Sequence, residues 1–237
     1  VAVTDVSLLA PVGRITGLIG PNGAGKTTTF NACSGLIRPD AGSIVLDGRD
    51  VTRISAARRA RLGLGRTFQR MELFEGLTVR QNVEMGWEAA RADSAPWRHV
   101  FAGRSEVVRM RDATEAALDL CKIGELADRS VSSLSTGQRR LVELARVLAG
   151  GFHVLLLDEP SSGLDAAETT AFGKILERVI HERGAAILLV EHDMSIVMDI
   201  CAYVYVLDFG RLVFEGTPEQ VANSDVVRSA YLGASAR

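Results

Sequence analysis

An α/β fold with a largely parallel sheet and one inserted helical region is predicted from three observations on the 237-residue chain. Short apolar runs alternate with longer helical stretches, the pattern of crossover-built sheets. Between Val79 and Ala149 the alternation stops, and the apolar spacing becomes helical. It resumes after Gly150 and Gly151. In chain order, Arg14 to Ile19 reads as a buried strand ending at Gly20, and Thr27 to Gly35 as a helix. Arg38-Pro39-Asp40-Ala41-Gly42 closes that helix as a turn. Ser43 to Leu46 reads as a strand and Ile54 to Leu62 as an arginine-rich helix. Beyond the helical region, His153 to Leu157 is a strand, Ala166 to Glu182 a helix and Ala186 to Val190 a strand. Tyr203 to Leu207 and Leu212 to Phe214 flank Asp208-Phe209-Gly210-Arg211 as a hairpin. Thr217-Pro218-Glu219-Gln220 has the capping Thr, the Pro and the Gln of a helix start.

Apolar residues make up 47% of the chain and charged residues 24%, values of an ordinary globular protein. Basic and acidic side chains nearly cancel, at 27 against 29, which argues against a polybasic nucleic-acid coat or an acidic tail. No apolar run approaches the roughly 20 residues of a membrane-spanning helix. Cys33, Cys121 and Cys201 fit no metal or redox spacing and are expected to be buried apolar thiols of a reducing compartment. The chain opens on Val1 as though mid-strand, so residues ahead of it are expected; no secretory signal is read there.

Gly20-Pro21-Asn22-Gly23-Ala24-Gly25-Lys26-Thr27 fits G-x-x-x-x-G-K-[ST] between a predicted strand and a predicted helix. Such glycines let successive amides turn inward around phosphate oxygens, and the helix adds its positive end. Lys26 would reach the β- and γ-phosphates, with the Thr27 hydroxyl on Mg²⁺ and Thr28 beside it in the phosphate site. Val154 to Glu159 places Asp158 and Glu159 at the carboxyl end of an apolar strand, where open α/β sheets bind ligands. Asp158 would orient the metal and Glu159 polarise an attacking water. Leu134-Ser135-Thr136-Gly137-Gln138 precedes a helical run, so Ser135 and Gly137 form a second candidate anion site or an ordinary cap.

Over nearly its whole length the chain resembles the nucleotide-binding subunits of ABC transporters. The glycine loop corresponds to Walker A, residues 134–138 to the signature, and Asp158-Glu159 to Walker B. Ser162-Gly163-Leu164-Asp165 resembles the D-loop, Arg66-Thr67-Phe68-Gln69 the Q-loop, and His192 in Glu191-His192-Asp193 the switch histidine. The signature departs from the commoner Leu-Ser-Gly-Gly-Gln at Thr136. The resemblance implies a P-loop NTPase (RecA-like) core with an antiparallel β subdomain and an inserted helical subdomain. Residues 1–84 and 151–237 would form the core and 85–150 the helical part, within a single domain. It implies ATP and Mg²⁺ as cofactors, with Thr27, Gln69 and Asp158 serving the metal and Glu159 and His192 catalysis. Ser135, Gly137, Gln138 and Asp165 would meet the nucleotide held by a partner subunit. An adenine-stacking aromatic would precede Val1.

Within that family, Arg66-Thr67-Phe68-Gln69, Leu73-Phe74, Leu77 to Val83, Gly216 to Glu219 and Ala230 to Gly233 resemble the ATPases of branched-chain amino acid importers. The Thr-Phe-Gln form resembles the longer of their two ATPase subunits; lipopolysaccharide-export relatives usually carry another pair before the glutamine. The implied partners are transmembrane permeases, a second ATPase subunit and, indirectly, a solute-binding protein outside the membrane, with no nucleic acid. The implied place is the cytoplasmic face of the membrane, peripherally. A soluble ABC protein of translation or repair would carry two cassettes or a long coiled coil, and a small-molecule kinase would lack the signature and D-loop. Six arginines between Val51 and Met71 read either as a solvated face or as a contact with a permease loop or lipid headgroups. Trp87 and Trp97 read as packing residues, and 91–103 as a surface loop.

Overall fold

The computed structural model describes residues 2–67, 72–91 and 104–234, the last three by their backbone alone. Gln69, Phe68 and Arg70, Trp97 and positions 92–103 of the expected loop lie outside the described residues. The chain runs β1 (Ile15–Ile19), α1 (Lys26–Ser34), β2 (Val45–Leu46), β3 (Arg49–Asp50), α2 (Ala56–Arg61) and β4 (Leu64–Arg66). Three helices follow, α3 (Val79–Arg91), α4 (Arg104–Leu120) and α5 (Thr136–Ala149). Then come β5 (Val154–Asp158), α6 (Ala166–Arg183), β6 (Ala186–Val190) and α7 (Met194–Ile200). The chain closes with β7 (Tyr203–Asp208), β8 (Arg211–Gly216), α8 (Pro218–Ala222) and α9 (Asp225–Ala234).

The main sheet has the order β4-β5-β6-β1-β7-β8. Its first five strands are parallel, and β8 pairs antiparallel with β7 as the expected hairpin. Successive residues enter opposite cores: Ile19, Leu155, Leu157, Ile187 and Leu189 one, Leu18, Leu156, Leu188 and Val190 the other. A sheet buried on both faces needs continuous apolar strands, and this is why β5 and β6 read as unbroken aliphatic runs. The register brings Leu18 of β1 and Asp158 of β5 level with Val190 of β6. Gly20, Glu159 and Glu191 therefore emerge at one edge of the sheet.

Several elements differ from expectation, and β3, α7 and α9 were not read from the sequence at all. The strand expected from Ser43 is confined to Val45–Leu46, which pairs with β3 as a two-residue antiparallel ladder. The short β4 was not expected, since Leu64-Gly65-Arg66 carries too few apolar residues to show a period. Nor do the arginines form a single solvated face. Arg53, Arg58 and Arg61 are exposed, whereas Arg59 is 1% exposed and donates to the carbonyls of Ala32, Cys33, Thr52 and Ile54. That guanidinium satisfies carbonyls at the end of α1 and ties them to the loop before α2. Cys121 and Cys201 are buried and Cys33 half-buried, all three as free thiols. Among the described residues no helix is long and apolar enough to cross a membrane.

In the helical region α3, α4 and α5 pack together, with Val83, Trp87, Leu118, Val142 and Ala145 in the core. Arg91 stacks on the Trp87 ring, 4.1 Å from its centroid. Gly86 allows the closest approach, because a Cβ there would overlap the Arg146 carbonyl. Gly86→Ala is expected to cost about 1–3 kcal/mol of stability through this overlap, net of the better helix propensity of Ala. Urea denaturation with an unchanged midpoint would show that α3 and α5 can separate freely.

Candidate nucleotide site

β1 delivers the glycine loop to the sheet edge, and α1 starts directly after it. Gly25 caps α1 at φ 99°, a left-handed conformation that residues with a Cβ adopt at a cost. No side chain caps the helix, so its first amides are left to a ligand. The loop is held from outside, with the Gly210 amide donating to the Ala24 carbonyl at 3.0 Å. Lys26 is buried, and its ammonium donates to the carbonyls of Gly20 (2.6 Å) and Pro21 (3.0 Å). Burial lowers its pKa, opposed by the negative charges of Glu159 and Asp158. Asn22, Gly23 and Thr27 are exposed on the loop, and Thr28 is half-buried behind them.

Asp158 is 3% exposed at the end of β5. Burial raises its pKa, and the Arg66 guanidinium, 3.2 Å from Oδ2, draws it back down. The Asp158 amide donates to the Thr67 hydroxyl. Glu159 follows in the left-handed region at φ 50°, its amide donating to the Val190 carbonyl. A non-glycine residue held there is strained, and such strain gathers at functional sites. Its carboxylate lies 2.6 Å from Nε2 of His192, so two residues paired only by motif order meet directly. Glu191 is 2% exposed and accepts from the amides of Ser161 (2.8 Å) and His192 (3.2 Å). It thereby joins the segment after Glu159 to the segment carrying His192. Burial raises its pKa, and these amide bonds oppose the rise.

Ser135, Gly137 and Gln138 lie elsewhere. Ser135 caps α5 and exchanges side-chain and backbone hydrogen bonds with Gln138, as an ordinary capping box does. Asp165 makes the same box with Glu168 at the start of α6. The two helix starts are neighbours, since a Cβ on Gly137 would overlap the Glu168 carboxylate. Among the described residues no hydrogen bond joins either start to the glycine loop. Gln69 lies outside the described residues. Sequence reasoning did not single out Glu191, Thr67, or the partnership of Arg66 with Asp158. Glu191 carried a legible signal, a carboxylate closing an apolar strand as Asp158 does. The Arg66 contact carried none, because it spans 92 positions.

No cluster of three or more His, Cys, Asp or Glu side chains able to hold a metal occurs among the described residues. One hydroxyl and one carboxylate beside a phosphate cradle suit Mg²⁺, which keeps its waters and relies on nucleotide phosphates. The residues present fit that group.

The sequence model of the ABC transporter family matches residues 3–162. The chain belongs to the ABC transporter family. As an ABC ATPase it binds ATP and is 37% identical to the high-affinity branched-chain amino acid transport ATP-binding protein LivG of Escherichia coli K12, covering 98% of this chain and 92% of LivG. It is equally 37% identical to the lipopolysaccharide export system ATP-binding protein LptB of Haemophilus influenzae, covering 98% and 90%. A second family model, that of the branched-chain amino acid ATP-binding cassette transporter, matches residues 211–237 of this ABC ATPase. Its fold is that of solved cassettes, including the ADP conformation of MJ1267, an ATP-binding cassette of an ABC transporter. There the TM-score is 0.85 at 27% identity, over 98% of this chain and 92% of that one.

Proposed function

We propose that this ABC ATPase energises import of branched-chain amino acids through transmembrane permeases, from the cytoplasmic face of the membrane. The observation that carries the reading is the match of residues 211–237 to the branched-chain amino acid cassette family, with LivG-type relatives over nearly the full chain. The equal identity to LptB supports a second reading, lipopolysaccharide export. Permeases co-purified from the native membrane and reconstituted with the chain should take up labelled leucine, isoleucine or valine on ATP addition. ATP-driven lipopolysaccharide release without amino-acid uptake would replace import by export.

In this reading Lys26 and the amides of Gly20 to Thr28 hold the phosphates. Lys26 gives up its two carbonyl contacts for phosphate oxygens, exchanging neutral for charge-assisted hydrogen bonds. Thr27, Asp158 and Gln69 would hold Mg²⁺, which supplies charge neutralisation at the phosphates when bound. Glu159, fixed by His192, accepts a proton from the attacking water. Ser135, Gly137, Gln138 and Asp165 gather at two neighbouring helix starts, with Ser135 and Asp165 exposed, a group suited to a nucleotide held by a second ATPase subunit packed head-to-tail. A solute-binding protein outside the membrane would deliver the cargo.

Lys26→Ala is expected to weaken ATP binding about ten- to a hundredfold, the loss of charged hydrogen bonds, and to abolish turnover. Its far-ultraviolet circular dichroism should match that of the parent chain. Titration with a fluorescent ATP analogue checks the first effect, and an unaltered affinity would remove the glycine loop from the phosphate site.

A further inference from the structure

Arg66 stands at the end of β4 with its guanidinium divided between two elements. Nη1 donates to Asn31 Oδ1 at 2.7 Å and to Ser34 Oγ at 2.8 Å, both on α1. The guanidinium carbon lies 5.7 Å from the centroid of the Phe30 ring, also on α1. Nη2 donates to Oδ2 of Asp158 at 3.2 Å, with both side chains less than a tenth exposed. Oδ1 of Asp158 accepts no hydrogen bond among the described residues. Arginine can grip a carboxylate with two parallel bonds. Here it engages one oxygen through Nη2 and directs Nη1 to the helix that begins at the glycine loop.

We propose that Arg66 is the positioning residue of Asp158: anchored on Asn31 and Ser34, it holds one carboxylate oxygen and leaves the other turned to the hydration shell of nucleotide-bound Mg²⁺. The proposal rests on the reading of Asp158 as the carboxylate that serves the metal. A purely structural pair is the weaker account, because buried ion pairs seldom out-stabilise well-packed apolar residues. Thr67 supports the same assignment. Its hydroxyl accepts the Asp158 amide, so consecutive residues 66 and 67 hold the side chain and the backbone of one carboxylate. Outer-shell partners of this kind typically change metal affinity about 10–100-fold when removed.

The readout is the ratio of the affinities for a non-hydrolysable ATP analogue with Mg²⁺ and with EDTA, measured by fluorescence on the full chain. Asp158→Asn calibrates the loss of metal coupling. Arg66→Met is expected to lower the ratio roughly tenfold, towards the Asp158→Asn value, with the EDTA affinity retained. A ratio equal to that of the parent chain in Arg66→Met, alongside a collapsed ratio in Asp158→Asn, overturns the positioning role and leaves the metal reading intact. An unchanged ratio in Asp158→Asn overturns both. If Arg66→Met does not fold, the double change Asn31→Ala with Ser34→Ala keeps the charge and removes its anchors. A drop in that variant supports the proposal, and parity with the parent refutes it. Mn²⁺ in place of Mg²⁺ gives an independent signature, since its electron paramagnetic resonance spectrum should broaden or shift in Arg66→Met and not in a surface control such as Arg58→Met.

Discussion

Glu159→Gln is expected to turn ATP over about 10²–10⁴-fold more slowly than the parent chain, the usual contribution of general-base assistance. The amide keeps the size of the carboxylate and can still meet His192, so the strained backbone at φ 50° has no new reason to relax. Lys26, the loop amides and Asp158 are untouched, so ATP binding should survive. Nucleotide would then persist, and the variant should dimerise with ATP and Mg²⁺ but not with ADP. Phosphate release measures the first effect, and size-exclusion chromatography with light scattering the second. Phosphate release near the parent rate would take Glu159 out of the reaction.

The second large effect is on stability. Arg59→Met should lower unfolding free energy by about 3–5 kcal/mol, the order expected when several carbonyls lose one charged donor. The aliphatic stem is replaced, but the carbonyls of Cys33, Thr52 and Ile54 lose the guanidinium as donor, and that of Ala32 keeps only the Gly35 amide. A carbonyl left without a partner away from water bears a desolvation cost, and here several lose one donor together. Arg59→Lys keeps the charge yet cannot fork, so its loss should be smaller. Urea midpoints order the three proteins, and equal midpoints would mean that water replaces the guanidinium without penalty.

What could be read in advance follows from the range of the interactions. The glycine loop, the Asp158-Glu159 pair and the capped starts at Ser135 and Thr217 are local patterns, each complete within a few residues. Strands β5 and β6 were legible because burial on both faces demands unbroken aliphatic runs. Illegible were the contacts whose partners lie far apart in the chain. Arg59 and Arg66 look alike as members of one basic run, yet one binds carbonyls of α1 and the other bridges α1 to Asp158. Only tertiary packing distinguishes them. β4 was missed for a related reason: three residues are too few for a period, and the strand exists because β5 lies beside it.

The sheet order also sets a timetable for synthesis. β1 is made well before its two neighbours, β6 and β7. About 170 residues separate it from the nearer of them, so at 5–20 residues per second roughly 10–35 s pass before either partner exists. Throughout that interval an apolar strand and the glycine loop behind it have no native place to go. Non-local parallel pairing is slow even once the chain is complete. The phosphate cradle, made long before the strands that flank it, is thus among the last parts of the molecule to acquire its shape.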